Sequence, residues 1–211
     1  MNIEYFETPI PHIIIRNVFD ENNLKGVWKE LDFLTDSNKL LPPEQSRSAK
    51  KFGVVLKKNH AIYLEDVYKS ARFSNIFNAT QSSVSKKIIQ EIMSKHPVFN
   101  WFKNVNNESI LVSYYENDDR YLPHEDSSVY TILINFYKEP KAFTGGDLTL
   151  GTSGYTIPLE NNRMIIIPSW ATHGVTPVKF TDNYTPMSGM GRYTISIFSF
   201  IENKLPPEET R

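Results

Sequence analysis

The stretch SILVSYYENDDRYLPHEDSSVYTILINF, residues 109–136, decides the fold class of this 211-residue chain. Two runs of β-branched and aromatic residues, Ile110–Tyr115 and Val129–Phe136, flank a polar segment rich in Asn and Asp, as expected for two strands and their connection. Further runs of this kind, separated by clusters of Pro, Gly or Asn, are Asp147–Leu150, Arg163–Ile167 and Tyr193–Ile201. Several short strands with turn signals between them predict a β jelly-roll.

The residues before this stretch have a different pattern. His12–Ile15 is β-branched and predicts an opening strand, and Asp20 precedes apolar residues at helical spacing from Leu24 to Leu34. Two more helical zones are predicted over residues 65–77 and 82–95, whereas Pro42–Lys51, with its prolines, serines and charges, predicts an exposed loop. We therefore expect one α+β domain over residues 1–211, with helical support over about 1–105 and a jelly-roll core over about 106–202.

Composition excludes several classes of function. The chain has no cysteine, so disulfides, thiolate zinc sites, Fe–S clusters and cysteine nucleophiles are ruled out, and any metal must have nitrogen and oxygen ligands. The net charge of −1 and the pI near 6.5 give no basic field that would attract nucleic acid. The N-terminus does not resemble a signal peptide and the apolar runs are too short to cross a bilayer, which predicts a soluble, cytoplasmic protein without a membrane partner. The oligomeric state is left open.

A His-x-Asp pair is the first candidate for a metal site. His124 and Asp126 lie two residues apart, so in an extended segment both side chains point to the same face. His173 follows a strand of buried character, Met164–Ile167, in a turn from which an imidazole can point inward. Two histidines and one carboxylate form a facial triad that leaves coordination positions free, as in non-haem Fe(II) oxygenases.

The last predicted strand carries a candidate anion site. Arg192, Thr194 and Ser196 alternate along it and therefore share one face, and a guanidinium beside hydroxyls is a good receptor for a carboxylate. The alternative is an intramolecular ion pair with an Asp or Glu. Tyr114 offers a phenol that can donate a hydrogen bond inside the barrel, or else it is a core tyrosine.

Taken together, these motifs resemble the prolyl-4-hydroxylase-like branch of the 2-oxoglutarate/Fe(II) oxygenases. The resemblance covers about the last hundred residues and rests on five motifs in order: Tyr114, His124-x-Asp126, Gly145-Gly146-Asp147-Leu148, His173-Gly174-Val175-x-Pro177-Val178 and Gly191-Arg192-x-Thr194. It implies a double-stranded β-helix in which His124, Asp126 and His173 bind iron and Arg192 binds the distal carboxylate of 2-oxoglutarate. It also implies that Tyr114 contacts the co-substrate and that the Gly-Gly-Asp-Leu segment is a structural turn before a core strand.

The chain departs from the family pattern at two places. Arg192 lies nineteen residues after His173, whereas the family's basic residue usually lies about ten after it, so residues 179–189 are interpreted as an inserted loop and Lys179 is the competing basic residue. Asn135 stands at a strand position where many relatives have a tyrosine that helps to hold the distal carboxylate. The hydroxyls of Tyr114, Thr194 or Ser196 are the candidates to replace it.

The resemblance implies a dioxygenase that uses Fe(II), 2-oxoglutarate and O₂, with ascorbate as a candidate reductant. The favoured reaction is hydroxylation of an unactivated C–H bond in a prolyl residue of a peptide or protein, with a free amino acid or another small molecule as the alternative. Two further classes remain open: a zinc or manganese cupin-type enzyme that does not use Arg192, and a non-catalytic jelly-roll binding module. Tyr121 and Trp170 are candidates for the substrate pocket, and Pro42–Asn59 and residues 179–189 are candidate lids.

Overall fold

The computed structural model describes residues 2–83, 86–181 and 184–202 of the chain. The strands in these residues are β1 (Asn2–Phe6), β2 (His12–Arg16), β3 (Lys50–Lys51), β4 (Val54–Val55), β5 (Lys57–Lys58), β6 (His60–Tyr63), β7 (Asn107–Tyr115), β8 (Arg120–His124), β9 (Tyr130–Phe136), β10 (Phe143–Thr144), β11 (Leu148–Leu150), β12 (Tyr155–Ile157), β13 (Arg163–Pro168), β14 (His173–Val175), β15 (Lys179–Phe180) and β16 (Arg192–Phe200). The α-helices are α1 (Glu21–Asp36), α2 (Leu64–Val67), α3 (Asn75–Ser83) and α4 (Lys86–Lys95), and 3₁₀ helices span Ala71–Phe73 and Pro97–Asn104.

Two large antiparallel sheets contain most of the strands in the described residues, and β3-β4 and β10-β15 form separate two-stranded sheets. The larger has the order β1-β2-β13-β9-β16-β7-β6, and the smaller has the order β12-β11-β14-β8-β5. Ile165 and Ile167 of the larger sheet pack against Leu148 and Leu150 of the smaller one, so the sheets share an apolar layer. This mixture of helices and antiparallel sheets is of the α+β jelly-roll kind that the sequence predicts.

The helices cover the other face of the larger sheet. Asp20 caps α1 by accepting a hydrogen bond from the amide of Asn23 at 2.8 Å, as its position before the apolar pattern predicts. Leu31 and Leu34 of α1 are fully buried in the core that this sheet face shares with the helices. Trp28 meets the ring of Tyr193 edge-on, with centroids 6.0 Å apart. Within the described residues, no helix is long and apolar enough to span a membrane.

The alternation of side chains along β16 determines which of them point into the space between the two large sheets. β16 pairs with β7, with Arg192 opposite Tyr115, and also with β9, with Thr194 opposite Asn135. Tyr193 and Ile195 belong to the core beneath the helices, whereas the alternate residues Arg192 and Thr194 line a cavity on the opposite face. The sequence-based assignment of Arg192, Thr194 and Ser196 to one face is therefore correct.

The first half of the chain contains more strands than its sequence indicates. The predicted strand His12–Ile15 is present as β2, but β1 and β6 also join the larger sheet and β5 joins the smaller one. The sequence predicts helical support before about residue 105 and the jelly-roll core after it. The two sheets do not divide there, because both contain strands that precede this residue. β5 has only two residues, Lys57 and Lys58, and they are extended because they pair with Tyr121 and Arg120 of β8. A local sequence pattern cannot reveal a pairing of this kind.

The helical zone predicted over residues 65–77 is divided in the structure. α2 ends at Val67, and α3 begins only at Asn75. The hydroxyl of Ser74 accepts a hydrogen bond from the amide of Phe77 at 3.1 Å, and Glu30 accepts one from the amide of Ile76 at 3.0 Å. These side chains satisfy the first amides of α3, so a new helix begins here. The zone predicted over residues 82–95 contains α4, and its residues 84 and 85 lie outside the described residues.

Candidate metal and co-substrate site

Two adjacent strands of the smaller sheet bring the predicted triad together. β8 ends at His124, which lies opposite His173 at the start of β14. Asp126 follows β8, and its amide donates a hydrogen bond to the carbonyl of Ser169 at 2.9 Å. The Nε2 atoms of His124 and His173 lie 3.5 and 3.3 Å from the carboxylate oxygens of Asp126. One ligand atom from each residue lies within 4.8 Å of the other two, which is the spacing of a metal site.

The hydrogen bonds of the two imidazoles determine which nitrogen is free. The Nδ1 atom of His124 lies 2.9 Å from the carbonyl of Leu122, and that of His173 lies 2.9 Å from the carbonyl of Ala171. A carbonyl oxygen can only accept, so each Nδ1 carries a hydrogen and Nε2 is the ring atom that faces Asp126. Two imidazole Nε2 atoms and a carboxylate that converge in this way are a donor set for a metal ion, so the residues present fit one.

The protonation of the site agrees with this assignment. Burial lowers the pKa of His124 to about 4, with a further contribution from His173. Burial alone would raise the pKa of Asp126, but the hydrogen bond to His173 and the nearby histidines lower it below its usual range. At neutral pH His124 is therefore a neutral imidazole, with its hydrogen on Nδ1, and Asp126 is a carboxylate, which are the forms that bind metals.

A hydrogen bond from the larger sheet also positions the carboxylate of Asp126. The hydroxyl of Thr131 donates a hydrogen bond to the Asp126 carboxylate at 2.6 Å, and Ser169 lies 2.9 Å from the same hydroxyl. Thr131 is fully buried on β9, so the larger sheet orients a ligand that belongs to the smaller one. Tyr121 stacks on the ring of His124, with centroids 3.7 Å apart. These partners fix the rotamers of two triad residues.

The triad opens into a cavity of about 480 Å³ between the two sheets. Its lining includes the predicted residues Arg192, Thr194, Ser196 and Tyr121. A space of this size is typical of pockets that enclose small organic molecules. The cavity therefore contains both a metal-binding constellation and a basic side chain.

Arg192 is buried with no acidic partner. It is 1% exposed, and its Nη2 donates a hydrogen bond to the Asn135 side-chain oxygen at 2.9 Å, while Nη1 donates to the hydroxyl of Thr194. Its guanidinium carbon lies 4.7 Å from the centroid of the Tyr115 ring. Burial lowers the pKa of Arg192, although an arginine stays charged in any protein environment. Among the residues described, no carboxylate lies within ion-pair distance of it, so these residues do not form the intramolecular pair that was the alternative.

Two other predicted positions explain how Arg192 is accommodated. Asn135, the departure from the family pattern, provides the oxygen that orients the guanidinium. Gly146 has φ +74°, and a Cβ atom there would lie 2.8 Å from Cδ of Arg192. The turn at Gly145 and Gly146 does precede a strand, β11, as predicted. It also leaves the space that the arginine side chain needs.

The structure corrects the assignment of Tyr114. This residue is fully buried on the helix side of the larger sheet, where its hydroxyl accepts a hydrogen bond from the amide of Gly191 at 3.1 Å. Its neighbour Tyr115 lines the cavity and lies against Arg192. The alternation Ser109, Leu111, Ser113, Tyr115 in β7 indicates the more polar face and could have identified the correct tyrosine.

Two further assignments differ from the structure. Trp170 is 58% exposed and does not line the cavity, because it lies in the surface turn before β14. Lys179, the competing basic residue, is exposed and forms an ion pair with Asp118, so Arg192 is the better candidate for the co-substrate. In the segment interpreted as an insertion, β15 pairs with β10, and residues 182 and 183 lie outside the described residues.

The candidate lid Pro42–Asn59 forms one wall of the cavity. The amide of Leu56 donates a hydrogen bond to the carbonyl of Ala49 at 3.0 Å, and the amide of Leu122 in β8 donates to the carbonyl of Leu56 at 2.9 Å. The amide of Ala49 also donates to the hydroxyl of Tyr121 at 3.3 Å. This wall brings a buried residue into the cavity, Lys57, for which no local sequence signal exists because its burial depends on the pairing of β5 with β8.

Comparisons with known proteins agree with the architecture and the site. Residues 110–199 match the family model described as 2OG-Fe(II) oxygenase superfamily. No curated protein matches the chain by sequence. The family uses Fe(II), 2-oxoglutarate and O₂, and residues 110–199 contain the three triad residues and Arg192.

Solved structures of prolyl hydroxylases are similar in fold. A prolyl-4-hydroxylase of Pseudomonas putida has a TM-score of 0.61 at 11% identity, covering 91% of this chain and 93% of that one. A prolyl hydroxylase of Trichoplax adhaerens, in complex with a peptide fragment of hypoxia inducible factor, has a TM-score of 0.62 at 14% identity, covering 90% and 83%. A viral collagen prolyl hydroxylase of Paramecium bursaria Chlorella virus-1, in complex with 2OG, has a TM-score of 0.51 at 13% identity, covering 90% and 96%. At these identities the likeness concerns the fold alone. Residues 110–199 thus match the 2OG-Fe(II) oxygenase superfamily model, and the structural neighbours of the chain are prolyl-4-hydroxylase-like 2OG-Fe(II) oxygenases.

Proposed function

We propose that this dioxygenase hydroxylates an unactivated C–H bond, with a prolyl residue of a peptide or protein as the substrate. His124, Asp126 and His173 are the iron ligands in this proposal, and Arg192 binds the C5 carboxylate of 2-oxoglutarate. The observation that carries it is the position of a buried arginine, unpaired with any acidic side chain of the described residues, in the cavity into which the triad opens. An organic diacid that chelates the metal with one end and reaches the arginine with the other satisfies both features.

The residues of the chain position the reactants. The carbonyls of Leu122 and Ala171 hold the two imidazoles with Nε2 free, and Thr131 holds the carboxylate of Asp126. His124, Asp126 and His173 would hold Fe(II), which with 2-oxoglutarate and O₂ would supply the oxidising power for the C–H bond, with succinate and CO₂ as the co-products.

At the other end of the co-substrate, Arg192 neutralises the carboxylate with two N–H donors. Thr194 and Ser196 offer hydroxyls on the same face of β16. Apolar side chains such as Leu133 and Leu148 line the cavity between these polar groups and limit the water that reaches the reacting carbon. No side-chain nucleophile takes part in this chemistry.

Support for a prolyl substrate comes from the fold. The neighbours from Pseudomonas putida and Trichoplax adhaerens are prolyl hydroxylases, and the second one holds a peptide. A free amino acid or another small molecule is the second candidate, because the wall formed by residues 42–59 encloses the cavity and places buried Lys57 in it.

We also propose that the N-terminal helices act as support for the jelly-roll. Val27 and Leu31 of α1, Ile76 of α3 and Ile92 of α4 are fully buried in one core with Ile134 of β9. Since β9 also supplies Thr131 to the triad, a rigid helical layer behind it keeps the metal ligands in place.

Turnover of 2-oxoglutarate tests the proposal. Purified protein is expected to form succinate only with Fe(II), and His124→Ala or Asp126→Ala is expected to abolish this reaction. His96→Gln is the matched histidine control, because His96 lies at the start of a 3₁₀ helix and does not line the cavity. Succinate formation that persists in both triad variants would contradict the ligand assignment. Absence of turnover in the wild-type protein across peptides and amino acids would favour a non-catalytic binding module.

A further inference from the structure

Three basic side chains line the cavity among the residues described: Arg47, Lys57 and Arg192. Arg47 is already neutralised, since its Nη2 lies 2.8 and 2.9 Å from the two carboxylate oxygens of Asp66 and its guanidinium lies over the ring of Tyr63. Arg192 is assigned to the co-substrate. Lys57 is the cation whose charge this assignment leaves unexplained.

Lys57 is 4% exposed, and its Nζ donates one hydrogen bond, to the carbonyl of Ser46 at 3.0 Å. Within the described part of the chain it forms no ion pair, so two of its three ammonium hydrogens lack an acceptor. Burial lowers the pKa of Lys57 to about 8, which leaves it mostly protonated at neutral pH. A buried ammonium without a counter-charge is unfavourable unless a ligand supplies one.

The acidic side chains near the cavity do not supply this charge. Asp126 belongs to the triad, and Glu125 is exposed and accepts a hydrogen bond from Thr172 at 3.2 Å. Lys57 therefore differs from Lys58, its neighbour in β5, which is exposed and lies 3.7 Å from Asp119.

Lys57 lies on the wall of the cavity that also carries the metal ligand His124, because β5 pairs with β8. Lys57 lies opposite Tyr121 in the pairing of β5 with β8, so the two side chains share a face, and Tyr121 stacks directly on the ring of His124. β5 is the edge strand of the smaller sheet, whereas Arg192 lies on β16 in the interior of the larger sheet. Lys57 is thus the cross-strand partner of the tyrosine that stacks on a metal ligand. It lies on a different wall of the cavity from Arg192.

We propose that Lys57 is a specificity-determining residue that binds a carboxylate of the substrate, so that this enzyme hydroxylates a carbon in a molecule or peptide segment that carries a negative charge close to the reacting position. This inference rests on the proposed function, because it takes the metal and 2-oxoglutarate sites as given. The carboxylate can belong to a small acid or to an acidic side chain in a peptide.

Matched acid and amide ligands test the inference by binding rather than by turnover. Calorimetric titrations use protein loaded with Mn(II) and N-oxalylglycine, a non-reactive mimic of 2-oxoglutarate. One pair is N-acetyl-L-proline and its amide, and the other is acetyl-Pro-Glu-amide and acetyl-Pro-Gln-amide. The first pair represents the small acid and the second the acidic peptide. In at least one pair the wild-type protein is expected to bind the acid about 10- to 100-fold more tightly than the amide, as one hydrogen-bonded charge provides.

Variants of Lys57 assign this preference to the residue. Lys57→Gln keeps a donor for the Ser46 carbonyl but removes the charge, and it is expected to bind acid and amide equally. Lys57→Arg is expected to restore part of the preference, and Lys51→Gln, which changes an exposed lysine in the same segment, is expected to retain all of it.

Several results would overturn the inference. The first is that the wild-type protein binds acid and amide equally, or binds neither, in both pairs. The second is that Lys57→Gln keeps the preference for the acid. The third is that Lys57→Gln loses affinity for N-oxalylglycine, because that result would assign Lys57 to the co-substrate instead. Failure of the proposed function is distinguishable, because the wild-type protein would then not bind N-oxalylglycine in the presence of Mn(II) at all.

Discussion

Replacing Arg192 by methionine is expected to change co-substrate affinity and protein stability in opposite directions. Met has a similar length but no charge, so Arg192→Met removes the two N–H donors that we propose for the C5 carboxylate. A hydrogen bond to a charged group contributes about 1.5–3 kcal/mol, so two of them amount to at least about 3 kcal/mol. Since each 1.4 kcal/mol is a factor of ten, the Kd for 2-oxoglutarate should rise on the order of a hundredfold.

The protein without co-substrate should respond differently. In the described residues Arg192 has hydrogen bonds to Asn135 and Thr194 and a contact with Tyr115, but no carboxylate, so its charge is buried without a counter-charge. Replacing buried charges by apolar side chains of similar volume is often neutral or stabilising by about 1–4 kcal/mol. We therefore expect the free energy of unfolding of metal-free Arg192→Met to equal or exceed that of the wild-type protein.

Two measurements check this pair of expectations. Calorimetric titration of the Mn(II)-loaded protein with 2-oxoglutarate gives the Kd, and urea denaturation of the metal-free protein gives the free energy of unfolding. Arg192→Lys is the control, because it keeps a charge but not the planar fork, and it should recover only part of the affinity. A Kd within threefold of wild type in Arg192→Met, or a loss of stability above about 2 kcal/mol, would refute the reasoning and make Arg192 a structural residue.

The remaining predictions concern residues around the site. Thr131→Val removes the hydroxyl that binds the triad carboxylate and should weaken Mn(II) binding about 10- to 100-fold, measured by competition with a chelating dye. Gly146→Ala introduces a Cβ atom 2.8 Å from Cδ of Arg192 at a φ of +74°, so it should displace the guanidinium and raise the Kd for 2-oxoglutarate with little effect on the Mn(II) Kd. Tyr115→Phe should raise the KM for 2-oxoglutarate, whereas Tyr114→Phe should leave it unchanged and lower the free energy of unfolding by about 1 kcal/mol.

Each of these expectations has a contrary outcome. Unchanged Mn(II) affinity in Thr131→Val, with Ser169→Ala as the companion variant, would mean that Asp126 needs no support from β9. A larger effect of Gly146→Ala on the metal than on 2-oxoglutarate would place the turn nearer to the triad than to Arg192. Finally, an increased KM for 2-oxoglutarate in Tyr114→Phe and an unchanged KM in Tyr115→Phe would restore the assignment of Tyr114 that the family resemblance implies.

The metal site was predictable from the sequence because its residues lie close to element ends that local patterns reveal. His124 and Asp126 are two residues apart, and His173 follows a strand with a clear apolar pattern, so the three were identified without knowledge of the pairing. The register that places His124 opposite His173 is a tertiary property, and only the family resemblance indicated it beforehand.

Other parts of the site depend on contacts that a sequence does not display. The family resemblance implied Tyr114, but the alternation of side chains along β7 directs Tyr114 to the helices and its neighbour Tyr115 to the cavity. Lys57 belongs to a charged, proline-containing segment that resembles a loop, and it becomes buried only because β5 pairs with β8. Edge strands of two residues have no periodicity to detect, so the wall they build could not be predicted.

The most direct test of the central claim is a crystal structure of the protein with Mn(II) and N-oxalylglycine, in which anomalous scattering locates the metal. We expect one Mn(II) bound by Nε2 of His124, Nε2 of His173 and the Asp126 carboxylate, with the distal carboxylate of the mimic on Arg192. A metal bound elsewhere, or a distal carboxylate that lies on Lys57 while Arg192 has no ligand, would contradict it.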